Sequence, residues 1–258
     1  MSRANYRECH VQGDDVDAYR DVYAAGYYAA QWQQLEQPWL RRVFDELTAG
    51  GARTMLDLAC GQGRITLLGA KYFDHVQGID YSELMLARAQ QSQAEDHSLA
   101  NADLRFEVGD VRTFDAHAPY DVVTAFRFLL NAEDDLRLEG IRCARRNIAP
   151  AGTFIANVHC AATSPLAWFY RGSGAMRRVL GKPVNPVRNS LSLRELKAKF
   201  AAEGFQVDRV YRYSLLPRVG RLTDPLAEKH LANFERLGRI VPGLSLLSQA
   251  FVVCARPY

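Results

Sequence analysis

Between residues 54 and 159 short apolar runs alternate with stretches of helical character, and this alternation limits the fold more than any other feature of the chain. The runs are TMLDLA (54–59), HVQGID (75–80), LRFEVGD (104–110), YDVVTAF (120–126) and GTFIANVH (152–159). Between them lie GRITLLGAKYF (63–73), then SELMLARAQQSQA (82–94) with Ser82 placed to cap its start, and DDLRLEGIRCARRNIAP (134–150), closed by Pro150 and Gly152. Strands separated by helices are βαβ units, so the pattern predicts a doubly wound parallel sheet with helices on both faces. YDVVTAF is apolar enough to be buried on both sides. Further on, SLRELKAKFAAEGF (192–205) reads as a helix, and FQVDRVYRYSLL (205–216) and SQAFVVCARP (248–257) read as strands. The helix DPLAEKHLANFERLGRIV (224–241) is inserted between those two strands. Residues 14–48 read as helical and rich in aromatics, with Pro38 expected to divide them into two helices. Residues 160–191 are irregular and punctuated by Gly172, Gly174, Gly181, Pro183 and Pro186.

The chain has 258 residues, 48% of them hydrophobic, which suits one α/β domain with embellishments. A net charge of +3 creates no strong demand for nucleic acid. Cys9, Cys60, Cys143, Cys160 and Cys254 are scattered and contain no C-x-x-C pair. Neither a disulfide framework nor a zinc site is expected; reduced thiols in a cytoplasmic protein are. The start, MSRANYRECHVQGDDVDAY, has no apolar leader core, and no run approaches the ~20 residues that span a membrane.

The stretch LDLACGQGR (56–64) carries the chemistry. A glycine turn at a strand's carboxyl end lets a ligand approach the backbone, and an acid closing the next strand, Asp80, can accept hydrogen bonds from ribose hydroxyls. A dinucleotide site wants G-x-G-x-x-G, but Thr66 stands where the third glycine belongs. A P-loop needs G-K-[ST], which is missing here. A ribose-bearing cofactor is expected, with a nicotinamide dinucleotide still open but disfavoured.

LDLACGQGR resembles the first motif of the class I S-adenosylmethionine (SAM)-dependent methyltransferases, an acid followed by x-G-x-G-x-G, with Asp57 as the acid and Ala59 in place of the first glycine. GIDYSELMLARA (78–89), FEVGDVRTF (106–114), YDVVTAFRFLLN (120–131) and IAPAGTFIANVH (148–159) are similar to the motifs that follow it. The resemblance covers about residues 54–159. It implies a seven-stranded, mostly parallel sheet with the last strand antiparallel, an N-terminal helical cap over 1–50, and a methyltransferase domain over 51–258 with insertions at about 160–191 and 218–247. It also implies SAM as cofactor, S-adenosylhomocysteine (SAH) as product and no metal. Asp57, Ala59, Gly61 and Gly63 then fall at the turn and the methionine part of the cofactor. Asp80 falls at the ribose, and Tyr81 and Met85 at the adenine faces. Asp110 and Val111 fall at the adenine edge.

Arg64 can pair with the cofactor carboxylate or with an acid of the N-terminal lid. Phe126 and Arg127 follow the fourth strand, where ligands meet an open α/β sheet. Arg127 sits in an apolar context and needs a partner: a substrate anion, the SAM carboxylate or a structural acid. His159 is a candidate base at the end of the fifth strand. Tyr19, Tyr23, Tyr28 and Trp32 can close over the sulfonium and the substrate, with Trp168 and Tyr170 as further substrate contacts. Cys60 is expected to be a small packed side chain.

The expected function is transfer of a methyl group from SAM to an oxygen or nitrogen of a small molecule such as a natural product, sugar or quinone. The alternatives are an RNA or protein methyltransferase on the same fold, or a non-catalytic SAM-binding protein. AFRF stands where nucleic-acid enzymes of the family carry an N-P-P-Y-type tetrapeptide. Segment 165–199 holds Arg171, Arg177, Arg178, Lys182, Arg188, Arg194, Lys197 and Lys199 against Glu195. It fits an anionic acceptor, a peripheral membrane contact, RNA bound through stacking and phosphate contacts, or a solvated basic surface.

Overall fold

The computed structural model describes residues 25–159, 163–165, 167–169, 172, 191–217 and 223–258, and of His159 the backbone alone. Tyr19, Tyr23, Tyr170, Cys9, Cys160 and most of the basic stretch lie outside the described residues.

Seven strands form one sheet in the order β3-β2-β1-β4-β5-β7-β6. They are β1 Thr54–Leu58, β2 His75–Asp80, β3 Asp103–Val108, β4 Tyr120–Ala125, β5 Ile148–His159, β6 Phe205–Tyr213 and β7 Ala250–Pro257. The pairs β1–β2, β1–β4, β2–β3 and β4–β5 are parallel, and β7 runs antiparallel to both its neighbours. The expected fold class is therefore the observed one. The chain builds outward from β1 in one direction, then crosses to β4 and builds in the other. The crevice at the carboxyl ends of β1 and β4 is the topological switch point where such sheets bind ligands.

Side chains alternate across a strand, and the two cores follow that alternation. Leu56, Leu58, Val123, Phe154 and Val253 face one side. They pack there with Leu136 and Ile141 of the helix Asp134–Asn147 and with Leu196 and Phe200 of Leu193–Ala202. Met55, Val76, Val122, Ile155 and Val252 face the other side. The N-terminal helices cover this second face: α1 Gly26–Gln31, a π-helical turn Trp32–Glu36, and α2 Gln37–Ala49. Leu40 and Phe44 are fully buried in it, and Trp39 stacks on Tyr211 at 5.3 Å. The inserted helix Asp224–Ile240 packs on α1, where Glu228 accepts the Gly26 N–H at 2.8 Å and Asp224 accepts that of Tyr27.

Two sequence expectations need correction. Pro38 does not separate two helices: the helical run continues through the π turn, with the Gln37 N–H bonding five residues back to Trp32 O. A proline ring clashes with the carbonyl four residues before it, and the wider turn makes the room. Pro38 then occupies the first turn of α2, where its missing N–H matters least. The helix expected over 134–150 ends at Asn147, and β5 starts at Ile148. The residues between Ile148 and Thr153 form an irregularity in the β4–β5 register, so Pro150 sits at a bulge. Elsewhere local chemistry acts as expected: the Ser82 hydroxyl accepts the Met85 N–H at 3.3 Å and caps the helix Glu83–Glu95.

Candidate functional site

Beyond β1 the backbone turns through three left-handed residues, Ala59 (φ 52°), Gly61 (φ 56°) and Gly63 (φ 78°). Two of these are glycines, for which the region is open; Ala59 holds it against its own Cβ. Asp80, closing β2, fixes the turn. Its Oδ2 accepts the Gly61 N–H at 2.8 Å and its Oδ1 accepts the Ser82 N–H at 2.9 Å. A carboxylate has about four acceptor positions, so Asp80 can serve ligand hydroxyls while it holds the loop.

Asp57 lies beneath the turn, only 1% exposed. Its Oδ2 accepts the Thr66 hydroxyl at 2.7 Å and its Oδ1 the Thr124 hydroxyl at 2.6 Å. Burial pushes the Asp57 carboxyl up to about 6, with the two hydroxyls pulling the other way. Thr66 thus has a task where a third glycine was wanted. The close approach of helix to sheet is provided by the strand instead: a Cβ on Gly78 would meet Thr66 Cγ2 at 2.9 Å and Cys60 Sγ at 3.0 Å. Cys60 packs against Gly78 and, against expectation, also lines the cavity; desolvation holds its thiol well above the ordinary range.

The other walls of the crevice come from three places. Gly109, Asp110 and Val111 follow β3, tied back by the Gly109 N–H to Asp80 O at 2.9 Å. Tyr81, half-exposed, and Met85, buried, begin the next helical segment. Phe126 and Arg127 leave β4, and Arg127 takes φ 61°. Asn157 Oδ1 accepts the Arg127 N–H at 2.6 Å, and Glu36 takes the guanidinium at 3.4 Å. Of the three partners open to Arg127, the structure supplies the structural acid. The Arg127 guanidinium also lies 5.3 Å from the centre of the Tyr28 ring, and that of Arg64 lies 4.8 Å from Trp32. Among the described residues, a ring of the N-terminal helices covers Arg64.

One cavity joins these groups. Asp57, Ala59, Gly61, Arg64, Asp80, Tyr81, Met85, Asp110, Val111, Phe126 and Arg127 all line it. Gly63 does not; it is a packing glycine against Phe106 and Ala89. Tyr28 lies outside the lining, with its ring against Arg127, and Trp168 is 54% exposed and outside the lining. His159 ends β5 opposite Ala250. The sequence reading missed Cys60, Gln62, Ile65, Ser82 and Gly109 within the motifs, and Phe128, Asn131 and Leu136 beyond β4. Gly140 makes room for the first of these last three: its lack of a side chain admits the Phe128 ring, which a Cβ there would overlap. Arg137 finishes this wall by donating to the carbonyls of Leu129 and Ala132 and to Asp134.

Residues 55–152 match the family model described as a methyltransferase domain. This stretch therefore carries a methyltransferase domain. Solved structures share its fold across nearly the whole chain. Magnesium protoporphyrin IX methyltransferase (ChlM) from Synechocystis PCC 6803 with bound SAH has a TM-score of 0.64 at 17% identity, covering 96% of either chain. The [4+2]-cyclase SpnF has 0.62 at 19% identity, covering 98% of this chain and 97% of that one. The CcbJ methyltransferase from Streptomyces caelestis has 0.52 at 17% identity, covering 82% and 86%. At such identities the likeness is one of fold, and a fold hosts more than one chemistry. No curated protein matches the sequence significantly. Among the described residues of the chain, no group of three or more His, Cys, Asp or Glu is arranged to hold a metal, and no helix is long and apolar enough to cross a membrane.

Proposed function

We propose that this methyltransferase moves the methyl group of SAM to an oxygen or nitrogen of a small-molecule acceptor, of natural-product, sugar or quinone type. The charge of the cavity carries this reading. Asp57, Asp80 and Asp110 line it with Arg64 and Arg127, and Glu36 stands behind Arg127. With these groups ionised the acids outnumber the guanidiniums. SAM, with a sulfonium, an ammonium and a carboxylate, brings one net positive charge. The pyrophosphate of a dinucleotide would instead face the buried Asp57 at the turn.

In this reading Asp80 accepts the ribose hydroxyls, and Tyr81 and Met85 flank the adenine. Asp110 accepts from the adenine amine, and the Val111 N–H donates to the ring. Asp57 and the 59–63 turn meet the methionine ammonium, with Arg64 and Arg127 near its carboxylate. The acceptor's lone pair forms a bond to the methyl carbon as the carbon–sulfur bond breaks and the sulfur keeps the electron pair, leaving SAH. The sulfonium is already electrophilic, so the protein's part is to align, to exclude water and to take the acceptor's proton. His159 is the proposed base; it lies two residues beyond Asn157, whose side chain holds the Arg127 backbone. His159→Ala is expected to lower turnover about 100-fold; the parent rate in that variant would remove the role. The N-terminal segment 1–50 acts as a cap, supported by Tyr28 and Trp32 against the two arginines. The basic residues of 165–199 favour an anionic acceptor.

The Asp57 shift gives a test. Its folded carboxyl is raised to about 6, so it is ionised above that pH and neutral below. The buried charge costs stability fully above about pH 6, and that cost fades as pH falls toward the unfolded value of about 4. The ammonium of SAM needs the ionised form. SAM affinity measured by calorimetry is therefore expected to fall as pH drops from 7 to 5, while Asp57→Asn binds weakly and without that slope. A flat profile in the parent protein would remove Asp57 from the ammonium.

A further inference from the structure

Glu36 is 1% exposed and sits on the π turn of the N-terminal helices, an element that does not line the cavity. It nevertheless closes a ring of contacts around a cavity residue. Its Oε1 accepts the Tyr213 hydroxyl at 2.7 Å, and both its oxygens stand 3.4 Å from Arg127 Nη2. The Tyr213 hydroxyl also takes Asn157 Nδ2 at 3.5 Å, and Asn157 Oδ1 accepts the Arg127 N–H at 2.6 Å. Four elements meet here: the N-terminal helices, the ends of β4 and β6, and β5. The ring holds Arg127 by side chain and backbone together, at the left-handed φ of 61° that a non-glycine residue rarely keeps unaided. The pair stands at 3.4 Å, longer than the about 2.7–2.9 Å of a closed carboxylate–guanidinium bond.

We infer that Glu36 is a positioning residue for the cofactor: it holds Arg127 at the cavity wall and thereby links docking of the N-terminal helices to SAM binding. The inference rests on the proposed reading of the cavity. Such a link is reciprocal. Bound SAM tightens residues 26–49, and loosening those residues weakens SAM. Without the charge of Glu36, the Arg127 guanidinium loses a buried counter-charge. It is then drawn away from the helices and takes the end of β4 with it.

The test uses the full chain, with SAM as the probe, read by calorimetry and by backbone amide exchange. In the parent chain SAM is expected to slow exchange across residues 26–49. Glu36→Gln keeps the size and an acceptor for Tyr213, and is expected to raise the SAM Kd about 10-fold and to lose that protection. The double variant Glu36→Gln/Arg127→Met removes both charges. It is expected to recover thermal stability but not the SAM-dependent protection, whereas a merely structural pair would recover both. Parent-like or tighter SAM binding by a folded Glu36→Gln, or protection kept in either variant, would overturn the inference while leaving the cavity assignment standing. A parent chain that does not bind SAM would overturn both.

Discussion

Asp80→Ala is expected to weaken SAM binding at least about 100-fold, the largest loss from any single side chain of the cavity. Hydrogen bonds to a charged group contribute about 1.5–3 kcal/mol each. Two ribose hydroxyls on one carboxylate therefore account for about 3 kcal/mol or more, and every 1.4 kcal/mol is tenfold. The same side chain binds the Gly61 and Ser82 N–H groups, so its loss also releases the turn that shapes the methionine end. The two effects separate with a cofactor analogue. SAH lacking its ribose 2′-hydroxyl should bind the parent protein more weakly than SAH, and bind Asp80→Ala about as well as SAH does. A double cycle of this kind isolates the direct contact. An equal loss from the missing hydroxyl in both proteins would leave Asp80 as a holder of the loop alone.

Gly63→Ala is expected to destabilise the fold by about 2–4 kcal/mol through two additive causes. Gly63 has φ 78°, where a Cβ is strained, and that Cβ would lie 2.9 Å from Phe106 Cζ and 3.0 Å from Ala89 Cβ. Gly51 separates the causes: its φ is 99°, yet a Cβ there meets nothing within 4 Å. Gly51→Ala should then cost only the backbone strain, about 1 kcal/mol. At about 2–4 °C per kcal/mol for a chain of this size, Gly63→Ala should lower Tm by about 5–15 °C and Gly51→Ala by a few degrees. Equal shifts in the two variants would show that the contact with Phe106 is relieved at no cost.

The parallel half of the sheet was legible because both its signals are local. Apolar runs of strand length and caps such as Ser82 are written in neighbouring residues, and β2 occupies the six residues, 75–80, read for it. The cavity was legible for the same reason: its acids and turns sit at strand ends within the motifs. What the sequence hid is tertiary. Glu36 is 91 residues from Arg127 and 177 from Tyr213. Nothing near it in sequence marks an acid whose partners include a buried arginine and tyrosine. Thr66 was read as a missing glycine because the glycine that admits it, Gly78, belongs to the next strand. Pro38 was read as a break because the π turn that accommodates it has no pattern of its own. The wall from Phe128 to Leu136 depends on Gly140 and Arg137, each of which reads as an ordinary helix residue until the ring and the carbonyls meet it.

The most direct test of the cofactor assignment is a thermal-shift titration of the full chain with SAM and, in parallel, with NAD. A ligand bound only by the folded state raises Tm in step with the ratio of its concentration to Kd. SAM and SAH should give saturable shifts that Asp80→Ala moves to about 100-fold higher ligand concentration, and NAD should give none. A shift with NAD and none with SAM would contradict the account.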